Sequence, residues 1–201
     1  AQPGRNMELF TNCATAITSF AKFYLLLNGS GVGRSYDDEL IVVDWAEAPA
    51  LRLRLDRTHP DFPHSRAQLA RFGQEFALLP PGTTPDSLTS AQEATLRAWV
   101  DARLCTEPVP GAVVHLIDDS REGWAKSVEQ LESMAFERQR DVTLLLDFSA
   151  IGPRGTTISG MNDRPDSGPL SLIRAFLAID DHVVAPARAR DPVGEALQTW
   201  E

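Results

Sequence analysis

Cys13 is the residue whose chemistry matters most to a reading of this sequence. It follows Asn12 in a run, Leu9 to Thr15, with the β-branched and aromatic bias of a buried strand. A thiol in such a strand is either a small apolar core residue or a redox group. The second role needs a partner thiol or a base. Cys105 lies at the end of a separate predicted helix, and no Cys-x-x-Cys occurs. Gly29-Ser30-Gly31-Val32-Gly33-Arg34 is bare backbone that can lie against a ligand. It is not a phosphate loop, because Asn28 and Arg34 stand where Gly and Lys are needed. It is not a dinucleotide fingerprint either, because a helix precedes it and a strand follows. Pro153 to Gly160 combines Arg154, Gly155, Thr156, Thr157 and Ser159 just after a buried strand. Such groups hold phosphate oxygens at the ends of parallel strands, although any surface loop can share the composition. His59 and His64 flank Asp61, but Pro60 and Pro63 kink the segment and no third ligand is close. A solvated loop is expected there, and no metal site. His115 reads as a satisfied core or edge histidine, and His182 as a helix-end residue. Asp37-Asp38-Glu39 suits a solvated turn or a binding role, and Asp118, Asp119 and Ser120 are candidate helix caps.

The composition narrows the partners. Of 201 residues, 43% are hydrophobic and 23% charged, and 28 acids against 19 Lys and Arg leave a net charge of −9. A nucleic-acid or anionic-membrane surface needs a basic face and is not expected. Two cysteines are too few for a secreted disulfide framework, and there is no 18-residue apolar run and no signal-peptide core. The expected location is a reducing cytoplasm. The chain starts without Met and stops at Trp200-Glu201, where a helix has barely begun. A piece of a longer polypeptide is therefore expected.

The elements around these residues alternate between strands and helices. A helix is predicted over 15–28, ended by Asn28-Gly29, and strands over Leu40–Trp45 and Leu51–Leu55. The second of these, with Arg52 and Arg54 between leucines, reads as a half-exposed edge. The proline-rich stretch 56–85 reads as loop and short turns. A helix follows Ser90, with capping-box spacing to Glu93. Ala112–Ile117 reads as a strand. Ser120 to about Gln139 reads as an amphipathic helix with Trp124, Val128, Leu131, Ala135 and Phe136 on one face. Val142–Phe148 reads as a strand buried on both faces. A loop spans 152–168, a helix runs from Leu170 to about Ile179, and Asp191-Pro192 opens another. Strand, helix and strand in repeated order predict an α/β fold.

Four segments, in order, resemble the large chains of ribonucleotide reductases. Glu8 to Thr15 resembles their redox-cysteine strand, and Tyr24 to Arg34 the helix and glycine strand that follow it. Asp119 to Ala125 is similar to a segment of the adenosylcobalamin-dependent (class II) branch. Asp147–Ser149, Pro153–Met161 and Ser167–Leu170 resemble the effector loop and helix start of that branch. The resemblance implies the first half of a ten-stranded α/β barrel. The expected layout is a single piece of the catalytic domain over 1–201, with a divergent insertion at about 74–111. Cys13 would be one of two thiols that reduce the ribose 2′-carbon. Asn12 and Gly31 would lie beside the ribonucleotide substrate. Arg154, Gly155, Thr156 and Ser159 would bind a deoxynucleotide effector. The cofactor would be adenosylcobalamin. The partners would be the remainder of the reductase chain, or a companion chain that completes the barrel, and a thiol reductant such as thioredoxin. This chain alone would not turn over. The family's usual Arg is replaced by Gly152, and its second redox Cys, radical Cys and nearby Glu are not among these residues. A non-catalytic nucleotide-binding or assembly chain is the alternative, and an unrelated thiol enzyme based on Cys13 a third reading that lacks an adjacent base.

Overall fold

The computed structural model describes residues 13–16, 19–28, 30–34, 43–156 and 165–190. It contains two parallel sheets. Strand β1 (Cys13–Ala16), helix α1 (Ser19–Leu27) and strand β2 (Gly31–Arg34) form one unit, with β1 and β2 paired in parallel. Parallel neighbours need a crossover, and α1 supplies it. The second sheet has four parallel strands in the order β4-β3-β6-β5. These are β3 (Ala50–Arg54), β4 (Leu104–Cys105), β5 (Val113–Leu116) and β6 (Thr143–Asp147). Helices α2 (Arg66–Glu75) and α3 (Ser90–Arg103) join β3 to β4, and α4 (Arg121–Phe136) joins β5 to β6. After β6 come α5 (Pro169–Ile179), a π-helical turn (Asp180–Val184) and α6 (Ala185–Ala189). The expected α/β class with parallel strands is what the chain adopts. No described helix is long and apolar enough to cross a membrane.

β6 is the centre of the core. Leu144, Leu145 and Leu146 are all buried, and Phe148 just beyond packs edge-on to Phe176 of α5 at 6.0 Å. β3 is not the edge that its arginines suggested. It pairs with β4 on one side and β6 on the other. Arg54 is tolerated because its guanidinium is neutralised by Asp147 of β6, a partner 93 residues on. The edges are β4 and β5, and on β5 Val113, Val114 and Leu116 are exposed. Phe136, placed by its spacing on the buried face of α4, is 65% exposed, because it is the last residue before the helix ends at Glu137.

Two further expectations need correction. Within the expected strand Leu40–Trp45, residues 40–42 lie outside the described residues, and Val43–Trp45 is not extended pairing backbone. Asp44 accepts a bond from the Ala46 N–H at 3.0 Å and starts a 3-10 turn that buries Trp45. The stretch read as loop contains α2. Ser65 and Gln68 close a full capping box that satisfies two orphan N–H groups, and Leu69, Ala70 and Phe72 then face the core. α3 begins with the same device one residue earlier than expected, Thr89 with Gln92. The two helices are held by an aromatic cluster, with Phe72 4.2 Å from Phe76 and 5.5 Å from Trp99. The helix at Asp191 lies outside the described residues.

Candidate functional site

Because all four strands of the larger sheet are parallel, their carboxyl ends share one edge, where open α/β sheets place ligands. The loops after β3, β5 and β6 meet there. Asp147, buried at the end of β6, pairs with Arg54 and accepts the Ser149 N–H at 3.0 Å. Ser149 Oγ accepts the Asp56 N–H at 2.9 Å. Asp56 is held below the ordinary carboxylate value, first by the Thr58 backbone N–H, then by the Thr58 hydroxyl and more weakly by Arg54. His59 is buried, and both of its ring nitrogens are engaged by the protein. Nδ1 accepts the Asp61 N–H at 3.1 Å, so Nε2 carries the proton and donates to the Ile151 carbonyl at 2.8 Å. A histidine used in this way has no lone pair left for a metal. Among the described residues no group of His, Cys, Asp or Glu is arranged to hold one. Asp61, also buried, accepts the Arg154 N–H at 2.7 Å and lies 3.4 Å from Arg71.

These contacts fix the floor of the expected effector loop. Arg154, Gly155 and Thr156 share one exposed turn, and Ser159 lies outside the described residues. The turn closes on itself. Gly155 has φ +88 and donates to the Asp166 carbonyl at 2.9 Å, and Thr156 Oγ1 donates to the Pro153 carbonyl at 2.8 Å. Arg154 Nη1 pairs with Glu75 Oε1 at 2.5 Å. The Gly152 N–H donates to Asp119 at 3.0 Å, and a Cβ on Gly152 would stand 2.9 Å from that carboxylate. α5 begins beside this turn at Gly168-Pro169 without a side-chain cap. Its first N–H groups, together with an Arg154 side chain held by one exposed ion pair, suit a small anion.

The other expected site residues sit in the β1–α1–β2 unit. Cys13 is directly opposite Gly31 in the parallel ladder. The structure thus brings together two of the three residues expected near substrate; Asn12 lies outside the described residues. Asn28, buried at the end of α1, donates to the Tyr24 carbonyl at 2.8 Å and accepts from Arg121 of α4. Ser30, the next described residue, is buried, and its hydroxyl has no hydrogen-bond partner. α1 packs on α4, and the Tyr24 hydroxyl donates to Glu122 at 3.1 Å.

At the start of α4 the structure selects one of the three cap candidates. Ser120, not either aspartate, is the N-cap, accepting the Gly123 N–H at 2.9 Å. Asp119 instead reaches Gly152, while Arg121 and Glu122 reach α1. A Cβ on Gly123 would lie 2.5 Å from the Asp118 carbonyl, which accounts for glycine there. The available signal was the Ser-x-x-Gly spacing with two charged residues in the first turn. Cys105 is partly exposed at the end of β4, beside Arg54. His115 is not satisfied as expected. Its Nε2 is buried without a partner, and burial, aided by Lys126, lowers its pKa.

Residues 86–183, just under half of the chain, match the sequence model described as B12-dependent ribonucleotide reductase, insertion domain. Over that stretch the sequence is similar to the B12-dependent ribonucleotide reductases. Its fold agrees: it is similar to the crystal structure of a B12-dependent (class II) ribonucleotide reductase, with 23% identity and a TM-score of 0.52. That likeness covers 83% of this chain and 20% of the solved one, so the chain spans about a fifth of the reductase it matches. No curated protein matches it. The matched reductase family is B12-dependent, so cobalamin is the cofactor that goes with the relationship. The cavity at the Leu78–Gly82 turn does not fit it. It holds about 590 Å³ and is lined by Gln74, Ala77 and that turn, with no charged or imidazole group to meet a corrin. We assign no described residue to the cofactor.

Proposed function

We propose that this chain is part of a ribonucleotide reductase that converts ribonucleotides to deoxyribonucleotides. In this reading residues 1–201 belong to the catalytic domain, as the first half of its ten-stranded barrel, with an insertion at about 74–111. The observation that carries the reading is the register of Cys13 against Gly31. It sets the backbone of Cys13 opposite a residue without a side chain, so a sugar can approach that strand closely. Cys13 and a second thiol elsewhere in the enzyme then supply two electrons and two protons. The ribose C2′–OH bond breaks, the oxygen leaves as water, C2′ gains a hydrogen, and the two sulfurs join as a disulfide. Gly31 and Asn12 border the sugar and phosphate. Adenosylcobalamin, held elsewhere in the complete enzyme, would be the source of the radical chemistry. A dithiol protein of the thioredoxin kind restores Cys13 for the next turnover.

The turn at Arg154, Gly155 and Thr156, with Ser159, binds a deoxynucleotide effector. The uncapped start of α5 and the exposed Arg154 guanidinium support this role. The effector phosphate replaces Glu75 as the partner of Arg154. The test is Cys13→Ser in the complete reductase. Multiple turnover is abolished while nucleotide binding survives, and full retained activity refutes the reading. A complete enzyme that binds nucleotide and reduces none supports the non-catalytic alternative instead.

A further inference from the structure

Resting on the effector reading of the 152–156 turn, we propose that Glu75 is an internal competitor for the anion at that turn, so that α2 latches the site until a ligand phosphate displaces its carboxylate. The end of α2 touches both the turn and α5. Arg154 Nη1 donates to Glu75 Oε1 at 2.5 Å, and Arg174 Nη1 of α5 donates to the Glu75 backbone carbonyl at 3.0 Å. The α2 side of this bridge is rigid. Phe72 and Phe76 stack at 4.2 Å, and each lies 5.5 Å from Trp99 of α3. The N–H groups of Phe76, Ala77, Leu78 and Leu79 close the helix end on the carbonyls of Phe72, Gln74 and Gly73. On the other side the backbone of Arg154 is fixed by Asp61. A carboxylate is thus presented, on a firm support, to the guanidinium that a ligand phosphate would use.

The pairing has the marks of a contact that opens. A carboxylate built into a lasting bridge commonly uses both oxygens on an arginine fork. Here Glu75 Oε2 is buried and has no hydrogen-bond partner among the described residues. Arg154 is exposed and Glu75 partly so, and an ion pair in such a setting adds little stability. Phosphate offers the guanidinium more charge and more oxygens than a carboxylate does. A displaced Glu75 has a second cation at hand. Arg71 lies one turn earlier on the same face of α2, and its contact with Asp61 is a loose 3.4 Å. Without ligand, only molecules with the Arg154 pair open can take an anion, so the apparent affinity falls by that fraction. In the proposed layout Glu75 stands at the start of the insertion. The insertion therefore sets the concentration at which the site fills and keeps weakly bound small anions out.

The test uses the complete reductase and Glu75→Gln, which keeps the shape of the side chain and removes its charge. Calorimetry measures binding of dTTP, dATP, dGTP and dCTP, each alone, and of inorganic tripolyphosphate, which carries the anion without base or sugar. Glu75→Gln binds these ligands about fivefold more tightly than the unaltered enzyme, the scale of an exposed ion pair. Loss of a merely structural contact would weaken binding or leave it as it was. Hydrogen exchange on the peptide covering 76–79 gives a second readout. In the unaltered enzyme bound ligand speeds exchange there, because the latch opens. In Glu75→Gln exchange is already fast and does not respond to ligand. Unchanged or weaker binding by Glu75→Gln overturns the proposal, as does exchange at 76–79 that saturating ligand leaves unaltered in the native enzyme. If tripolyphosphate shows the fivefold gain while no deoxynucleotide binds, the latch stands and the effector reading falls. If nothing binds either enzyme, both fall.

Discussion

The two halves of the candidate site are built in opposite ways. At the carboxyl edge of the four-stranded sheet, the turn at 152–156 rests on buried groups. Asp61 holds the Arg154 N–H, His59 holds Ile151, and Asp147 with Ser149 ties β6 to the loop after β3. In the β1–α1–β2 unit, Gly31 lies against Cys13 with only backbone pairing and one flanking corner to keep it there. The first region is shaped by side chains and presents an exposed arginine. In the second, glycines alternate with Val32 and Arg34, and the residue opposite Cys13 has no side chain. Recognition can be prepaid in a rigid loop, whereas close approach to a reacting sulfur needs bare backbone whose position is set from outside.

Breaking the rigid half comes first in size. Phe72→Ala removes the ring that joins α2 to α3 and lowers stability by about 3–5 kcal/mol, read by denaturant unfolding. A loss under about 1 kcal/mol would show that α2 is not part of the core that carries the loops. Gly123→Ala pushes a methyl onto the Asp118 carbonyl and costs roughly 1–3 kcal/mol. Its sharper readout is hydrogen exchange, which rises both at 152–156 and at 30–34, because the joint between the halves is strained. Asp61→Ala costs roughly 1–3 kcal/mol by leaving the Arg154 N–H without its partner. Exchange then rises at 152–156 while 30–34 stays as it was. If both segments respond equally to Asp61→Ala, the two halves are not separately held.

The smallest effect is a pH dependence at the sheet edge. His115 titrates lower in the folded chain than its ordinary value of 6.5, because burial disfavours the cation and Lys126 repels it. The unfolded state therefore binds the proton first as pH falls. Stability contributed by the neutral ring is complete above pH 6.5 and is lost as pH drops from there towards the lowered folded value. His115→Gln removes this slope in unfolding experiments at a series of pH values. An unchanged slope would place its source elsewhere.

How much of this was legible in the sequence depended on the range of the interaction. Capping boxes are local, and both Ser65 with Gln68 and Thr89 with Gln92 can be read directly. The first was obscured by prolines on either side of α2, which end the loops and leave the helix intact. β6 was legible from its apolar run, because a strand covered on both faces reads as nearly continuous apolar sequence. β3 was misread as an edge because the partner that neutralises Arg54 is Asp147, far along the chain. The glycine strand and the Arg154 turn were visible as compositions. Their placement was not, because Asp119, Arg121 and Asn28 act through contacts that no spacing rule encodes.

The most direct measurement is a disulfide map after one turnover. The complete reductase is reduced, freed of external thiol, supplied with cofactor and ribonucleotide, and quenched, and its cysteine peptides are identified by mass spectrometry. The account predicts that deoxynucleotide forms and that Cys13 is recovered in a disulfide with a cysteine from elsewhere in the enzyme. Deoxynucleotide formed in the same amount while Cys13 remains a free thiol would contradict it.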